Sequence, residues 1–263
     1  MGRRIFIPLF FFDLLPVEPF PSLDRLNFFT SSSFHAPSVL RSSFTRPFGA
    51  SESRFGRKEF WDETYKNQST FSWYCSWSDI EPLWLSMVPN RDSSILVPGC
   101  GNDDTAVGLF DAGYRVCAFD YAPEGILRTR ENFGTEKLGN IDKLDVRVAD
   151  ARSLPFDDRS FDAAIEKGTL DSVFLSGGRD KACAKEQLRR AVQELTRTIR
   201  PGGIVVSLSA PATGYINDAF EASICADTKL PNWNQLLDGS AFVTEDGFAS
   251  INVNAVILAW ERN

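Results

Sequence analysis

The run ILVPGCGNDD, residues 95–104, sets two glycines one residue apart after an apolar stretch and follows them with two carboxylates. Gly99 and Gly101 let the backbone pass close to a ligand, since no side chain intervenes and positive φ is open to them. In nucleotide-binding α/β proteins such a turn presents the N-terminus of the next helix to a pyrophosphate. Here Asp103 and Asp104 stand at that helix start, where they already use its positive potential and repel phosphate. Asp104 also takes the position, five residues after the first glycine, at which a dinucleotide fingerprint wants Gly or Ala. The turn is suited to a nucleoside-like molecule that carries no phosphate and tolerates nearby negative charge.

Two more acids follow in order. Asp120 closes the stretch AFDY about twenty residues on, the position from which a carboxylate grips ribose hydroxyls. Asp150, in VADA, can accept from an adenine amine, and the Ala151 amide can donate to a ring nitrogen. An isolated GxG reads as an ordinary strand-to-helix turn, and an isolated acid as a loop residue facing water. Three such signals in sequence read as one nucleoside site. S-adenosylmethionine, with its sulfonium and α-amino group, meets the charge conditions.

Composition narrows the chemistry. His35 is the single histidine and lies in an atypical N-terminal stretch, which excludes Ser-His-Asp and Cys-His nucleophilic mechanisms and histidine-ligated catalytic metals from the body of the chain. The five cysteines, Cys75, Cys100, Cys117, Cys183 and Cys225, are scattered and form no C-x-x-C pair, so neither a disulfide framework nor a zinc site is indicated. Net charge is −7, and residues 1–57 carry seven Arg/Lys against four Asp/Glu, so the remainder holds −7 − 3, about −10. A body that acidic has no basic stripe for nucleic acid and suits a basic or neutral partner. No apolar run is long enough to span a membrane.

The elements that must position these residues alternate. Short apolar runs at 94–98, 115–121, 145–149, 161–166 and 204–209 predict buried strands, and 105–112, 123–133 and 181–199 predict helices. Pro201, Gly202 and Gly203 close the last of these helices. The apolar run 248–260 predicts a further strand or hairpin partner at the sheet edge. This is βαβ repetition, hence a Rossmann-like, doubly wound, mostly parallel sheet with helices on both faces. Residues 1–57, rich in Phe and Ser, stand apart from a domain over 58–263. Their opening, two arginines and an apolar run broken by Pro8, Asp13 and Pro16, reads equally as a targeting segment for mitochondrion or plastid or as a disordered or misassigned N-terminus.

From about Lys58 onward the chain resembles the class I, seven-stranded S-adenosylmethionine-dependent methyltransferases. EKGTLD (166–171) after FDAAI is similar to a motif of one methyltransferase-like subgroup, which contains the lysine methyltransferases of elongation factor 1-alpha and has a mitochondrial citrate synthase lysine methyltransferase as a relative. FWDETY and FSWY, upstream of the first strand, match the EYWDxxY…W pattern of that subgroup.

The resemblance implies that Trp61, Tyr65 and Trp73 close an aromatic lid over the cofactor, with Gly99 at its methionine end. It implies Asp120 on the ribose, Tyr121 flanking the adenine, Asp150 and Ala151 at its edge, and Lys167 at the active-site strand end. Aromatic faces attract a sulfonium and exclude water from methyl transfer; the same tryptophans would also serve as ordinary core packing. Asp171 is the leading candidate to position an acceptor lysine amine, and reads equally as a helix N-cap. No general base is assigned. The implied partner is a protein bearing the acceptor lysine, and the family default compartment is the cytoplasm. VPGCG followed by AGYRV is also similar to the thiol and halide methyltransferases of the same superfamily, and the stretch from Ala210 onward departs from the lysine-modifying subgroup. A small-molecule thiol or halide methyltransferase and a non-catalytic scaffold on the same fold stay open beside the lysine reading.

Overall fold

The computed structural model describes residues 52–68, 70, 72–210, 212–239 and 255–263. The targeting reading of the N-terminus and the first part of the 248–260 run lie outside the described residues. After a 3-10 turn at Glu52–Gly56 come α1 (Lys58–Asn67), α2 (Trp77–Met87), β1 (Ser94–Pro98), α3 (Thr105–Asp111), β2 (Arg115–Asp120) and α4 (Pro123–Leu138). Then follow β3 (Leu144–Val148), β4 (Phe161–Lys167), α5 (Thr169–Leu175), α6 (Lys181–Thr198), β5 (Ile199–Ser209), α7 (Thr213–Glu221), β6 (Trp233–Asp238) and β7 (Val256–Arg262).

The seven strands form one sheet in the order β3-β2-β1-β4-β5-β7-β6. β1 to β5 run parallel, and β7 and β6 add antiparallel. Alternate residues of each parallel strand enter opposite layers, as the two-residue pleat requires. Ile95 and Val97 pack with Trp77, Ile80 and Trp84 of α2 on one face. Leu96 packs with Phe174 of α5 and Leu188 and Val192 of α6 on the other. Both faces are covered, which accounts for the continuous apolar runs that marked these strands.

Strand order reverses between β1 and β4, and in an open α/β sheet the crevice at the carboxyl ends of those two strands is the ligand site. The glycine turn follows β1 there, and EKGTLD straddles the end of β4 and the start of α5. The predicted edge position of the C-terminal strand differs from the structure. β7 lies inside the sheet between β5 and β6, and the edge is β6, whose WNQLLD pattern leaves Asn234, Gln235 and Leu236 exposed. The helix expected over 123–133 runs to Leu138 through a break at Gly134, whose φ of 71° is left-handed. Among the described residues no helix is long and apolar enough to cross a membrane, and no group of three or more His, Cys, Asp or Glu is placed to hold a metal.

Candidate active site

Gly99 and Gly101 have φ of 60° and 54°, the left-handed region that favours glycine. The space beside each is already taken. A Cβ on Gly99 would strike the Thr169 side chain at the start of α5, and one on Gly101 would lie 2.7 Å from the Tyr65 hydroxyl. The turn is thus pressed between the α5 N-terminus and the α1 aromatic face.

Asp120, at the end of β2, is 3 % exposed and accepts from the backbone amides of Gly101 (2.9 Å) and Ala122 (2.8 Å). Each carboxylate oxygen keeps a further lone pair for a hydroxyl donor. Burial pushes its pKa up to about 6 against the lowering by those two amides.

The two aspartates that follow the turn have separate tasks. Asp103 accepts from the Thr105 amide at the start of α3 and forms a buried ion pair with Lys167, whose ammonium also donates to the Cys75 carbonyl at 2.7 Å. Asp104 reaches sideways to accept from the Trp77 amide, at the N-terminus of α2, and from Ser72. Both carboxylates therefore neutralise helix ends, as expected, although Asp104 serves a different helix from the one it begins.

Over the turn lies an aromatic layer. Trp61 and Tyr65, one helical turn apart on α1, stack with centroids 5.7 Å apart, and Trp73 meets Trp61 edge-on at 5.4 Å. Phe55 joins this layer and accepts from the Trp61 indole N–H through its carbonyl at 2.7 Å. Phe55, just before Lys58, therefore belongs to this aromatic layer. Between the lid and the turn, Tyr65, Trp73, Gly99, Gly101 and Lys167 enclose about 20 Å³, room for about one water.

Tyr121 lies half-buried at the start of the loop after β2, its hydroxyl held above the usual range by burial. Asp150 and Ala151 follow β3, partly exposed. Arg152 forks onto both Asp150 oxygens at 2.8 and 2.6 Å and continues to Gln187 of α6 at 2.9 Å. Against the upward push of partial burial, those Arg152 bonds hold the Asp150 carboxyl below the ordinary range. Such a fork fixes the plane of the carboxylate.

Two residues beyond the sequence-based candidates, one at the end of β4 and one in the segment before α2, border the same crevice. Glu166, 2 % exposed, accepts from the Thr169 (2.8 Å) and Leu170 (3.1 Å) amides of α5 and from the Ser207 hydroxyl of β5. Burial raises its pKa to about 8. Tyr74 donates to Asp171 at 2.9 Å. Asp171 sits in the first turn of α5 at 3 % exposure and also accepts from Ser209 (2.7 Å) and the amides of Ala212 (2.9 Å) and Ala210 (3.3 Å). Its carboxylate ties α5 to the end of β5. Both residues belong to quoted motifs, EKGTLD and FSWY, but neither position on its own carries a chemical signature.

The donor set fits S-adenosylmethionine: a buried carboxylate with free lone pairs, a turn without side chains, a second oriented carboxylate, and aromatic faces above.

Residues 96–207 match a family model described as a methyltransferase domain. The chain is 27 % identical over 200 residues to the eEF1A lysine and N-terminal methyltransferase of Xenopus laevis, covering 75 % of this chain and 28 % of that protein. It is 27 % identical over 165 residues to EEF1A lysine methyltransferase 4 of Mus musculus, covering 60 % of this chain and 62 % of the relative. The chain thus spans less than two thirds of the length of either relative. Among solved structures, a putative S-adenosyl-L-methionine-dependent methyltransferase from Methanococcus maripaludis superposes with a TM-score of 0.50 at 9 % identity, over 79 % of this chain and 94 % of that one. A second, from work on the conversion of a disulfide bond into a thioacetal group during echinomycin biosynthesis, gives 0.51 at 19 % identity, over 78 % and 92 %. These two share the fold.

Proposed function

We propose that the chain is an S-adenosylmethionine-dependent methyltransferase that methylates a lysine side chain on a protein, with elongation factor 1-alpha the first candidate acceptor. The observation that carries this reading is the meeting of FSWY and EKGTLD. These motifs lie nearly a hundred residues apart, yet Tyr74 bonds Asp171 and Lys167 bonds the Cys75 carbonyl at the mouth of the crevice. The resemblance to lysine-modifying enzymes rests on those same two motifs.

The bound cofactor supplies an electrophilic methyl group. The residues of the chain bind, orient and enclose. Asp120 takes the ribose hydroxyls, Asp150 and the Ala151 amide read the adenine edge with Tyr121 beside it, and Gly99 and Gly101 allow close backbone approach. Trp61, Tyr65 and Trp73 keep water from the transfer. Lys167, neutralised by Asp103, holds the segment before α2 through the Cys75 carbonyl. Methyl transfer needs alignment and a dry path more than proton chemistry, which agrees with the absence of histidine beyond residue 35. The surplus of about ten negative charges outside residues 1–57 favours approach of a basic acceptor segment.

The test is incubation of the purified chain with methyl-labelled cofactor and elongation factor 1-alpha, then with cell lysate, with the labelled residue identified by mass spectrometry. Label on a protein lysine, at a rate that falls as salt rises, supports the reading. Label confined to small thiols or halide sinks it in favour of the small-molecule reading, and cofactor binding without any transfer would leave the scaffold reading.

A further inference from the structure

Tyr74 is the least conventional residue near the crevice. Its φ is 67°, a left-handed conformation that an aromatic residue rarely adopts and that packing must hold in place. Its ring lies over Gly168, where an added Cβ would come within 3.3 Å, so the ring borders the turn that joins β4 to α5. Its hydroxyl is bound to Asp171. Glu166, Asp171, Ser207 and Ser209 of the same polar cluster are all buried, whereas Tyr74 is partly exposed. Tyr74 is thus the member of this cluster with part of its surface open to solvent. The four donors already on Asp171 leave it poorly placed to take another directly.

Resting on the lysine reading above, we propose that Tyr74 is the residue that receives the acceptor amine, and that Asp171 is a positioning residue acting through it. The phenol proton is committed to the Asp171 carboxylate. With that proton engaged and the Ala210 amide beside it, the phenol oxygen has one remaining lone pair with which to accept a hydrogen bond. Burial, followed by the nearby Asp171 charge, drives the Tyr74 pKa upward, which keeps that proton in place across the working pH range. An oxygen of this kind takes one N–H of a neutral amine and turns the nitrogen lone pair toward the methyl carbon. In the transfer, the lone pair forms the N–C bond while the C–S bond of the sulfonium breaks and its electron pair returns to sulfur. The methylammonium product then releases one proton to solvent. A thiolate or halide has no N–H to offer and gains nothing from this oxygen, so the arrangement favours an amine.

The test uses the full chain with labelled cofactor, elongation factor 1-alpha and lysate protein as acceptors, and mass spectrometry to name the modified residue. Tyr74→Phe, which takes one of four donors from the buried Asp171 carboxylate, is expected to melt cooperatively at a modestly lower temperature and to keep its cofactor affinity while kcat/KM for the lysine acceptor falls about tenfold. Asp171→Asn should lose a similar factor, and the double variant should be no worse than the poorer single one, because both act on one oxygen. Should Tyr74→Phe fail to fold, Asp171→Asn alone decides, with turnover falling more than cofactor affinity. Wild-type kcat/KM in Tyr74→Phe on a confirmed lysine acceptor overturns the assignment of Tyr74 and leaves the lysine reading intact. Loss of cofactor affinity in step with turnover overturns it too, by showing a merely structural role. Label on a thiol or halide, or none on any protein, refutes the lysine reading and this inference with it.

Discussion

Replacing Asp120 by Asn separates cofactor recognition from stability. The carboxylate accepts from two backbone amides on its two different oxygens. An asparagine has one acceptor oxygen, so one amide loses its partner, at a cost of about 1–3 kcal/mol. Working against this is the burial of the charge. Holding the pKa at about 6 in place of 3.8 means that the ionised group costs the fold about 3 kcal/mol at neutral pH. The sign follows from the raised value: the stabilising contribution is complete below pH 3.8 and is lost as pH rises through about 6. Asn removes that cost, and the two effects are of similar size. The melting temperature of Asp120→Asn at pH 7.5 should therefore stay close to that of the parent. Cofactor affinity should not. Two ribose hydroxyls lose a charged acceptor worth ~1.5–3 kcal/mol, a drop of about tenfold or more in calorimetric titration. In the parent, affinity should weaken as pH falls through about 6, where Asp120 takes up a proton, and in the variant that dependence should vanish. Unchanged affinity, or affinity that falls only together with the melting temperature, would refute the placement of the ribose at Asp120.

Gly101→Ala should weaken both fold and cofactor binding, since a Cβ would press on the Tyr65 hydroxyl at 2.7 Å and the residue would keep a positive φ; a loss of about 1–3 kcal/mol in chemical denaturation checks it. The stability due to Glu166 should decline from about pH 4.5 to about pH 8 and then level off, because its folded pKa is raised. Glu166→Gln, which mimics the protonated acid, should flatten that slope in melting temperature against pH, and an unaltered slope would count against the assignment. A chain shortened to begin at Glu52 should bind cofactor as the parent does. One beginning at Lys58 loses the Phe55 contacts to Trp61 and Trp73, and should bind more weakly by calorimetry even where it still melts cooperatively.

The parallel part of the sheet was legible because its signals are local. β1, β2, β4 and the 204–209 part of β5 are apolar runs, α4 breaks at a glycine, and the acids Asp120 and Asp150 stand where strands end, which fixes their end of the sheet without any knowledge of packing; the start of β5, with Pro201, Gly202 and Gly203 inside it, reads as a turn. Other elements carried no such signal. α2 has Pro82 inside it and reads as broken, yet Trp77, Ile80 and Trp84 bury against the sheet and hold it helical. β6 is an exposed edge strand with too few apolar residues to announce itself, and β7 finds its place only by pairing with strands on both sides.

The site divides in the same way. The sequence alone could place carboxylates and glycines at strand ends, since a strand end is a local event. It could not show that Asp104 serves the helix before the turn, that Arg152 fixes Asp150, or that Tyr74 covers Asp171 from across 97 positions of chain. Nor could it show that Glu166 holds its proton to about pH 8, because burial and neighbouring charge set that value. Those properties arise from contacts between distant segments, and such contacts exist only once the chain has closed on itself.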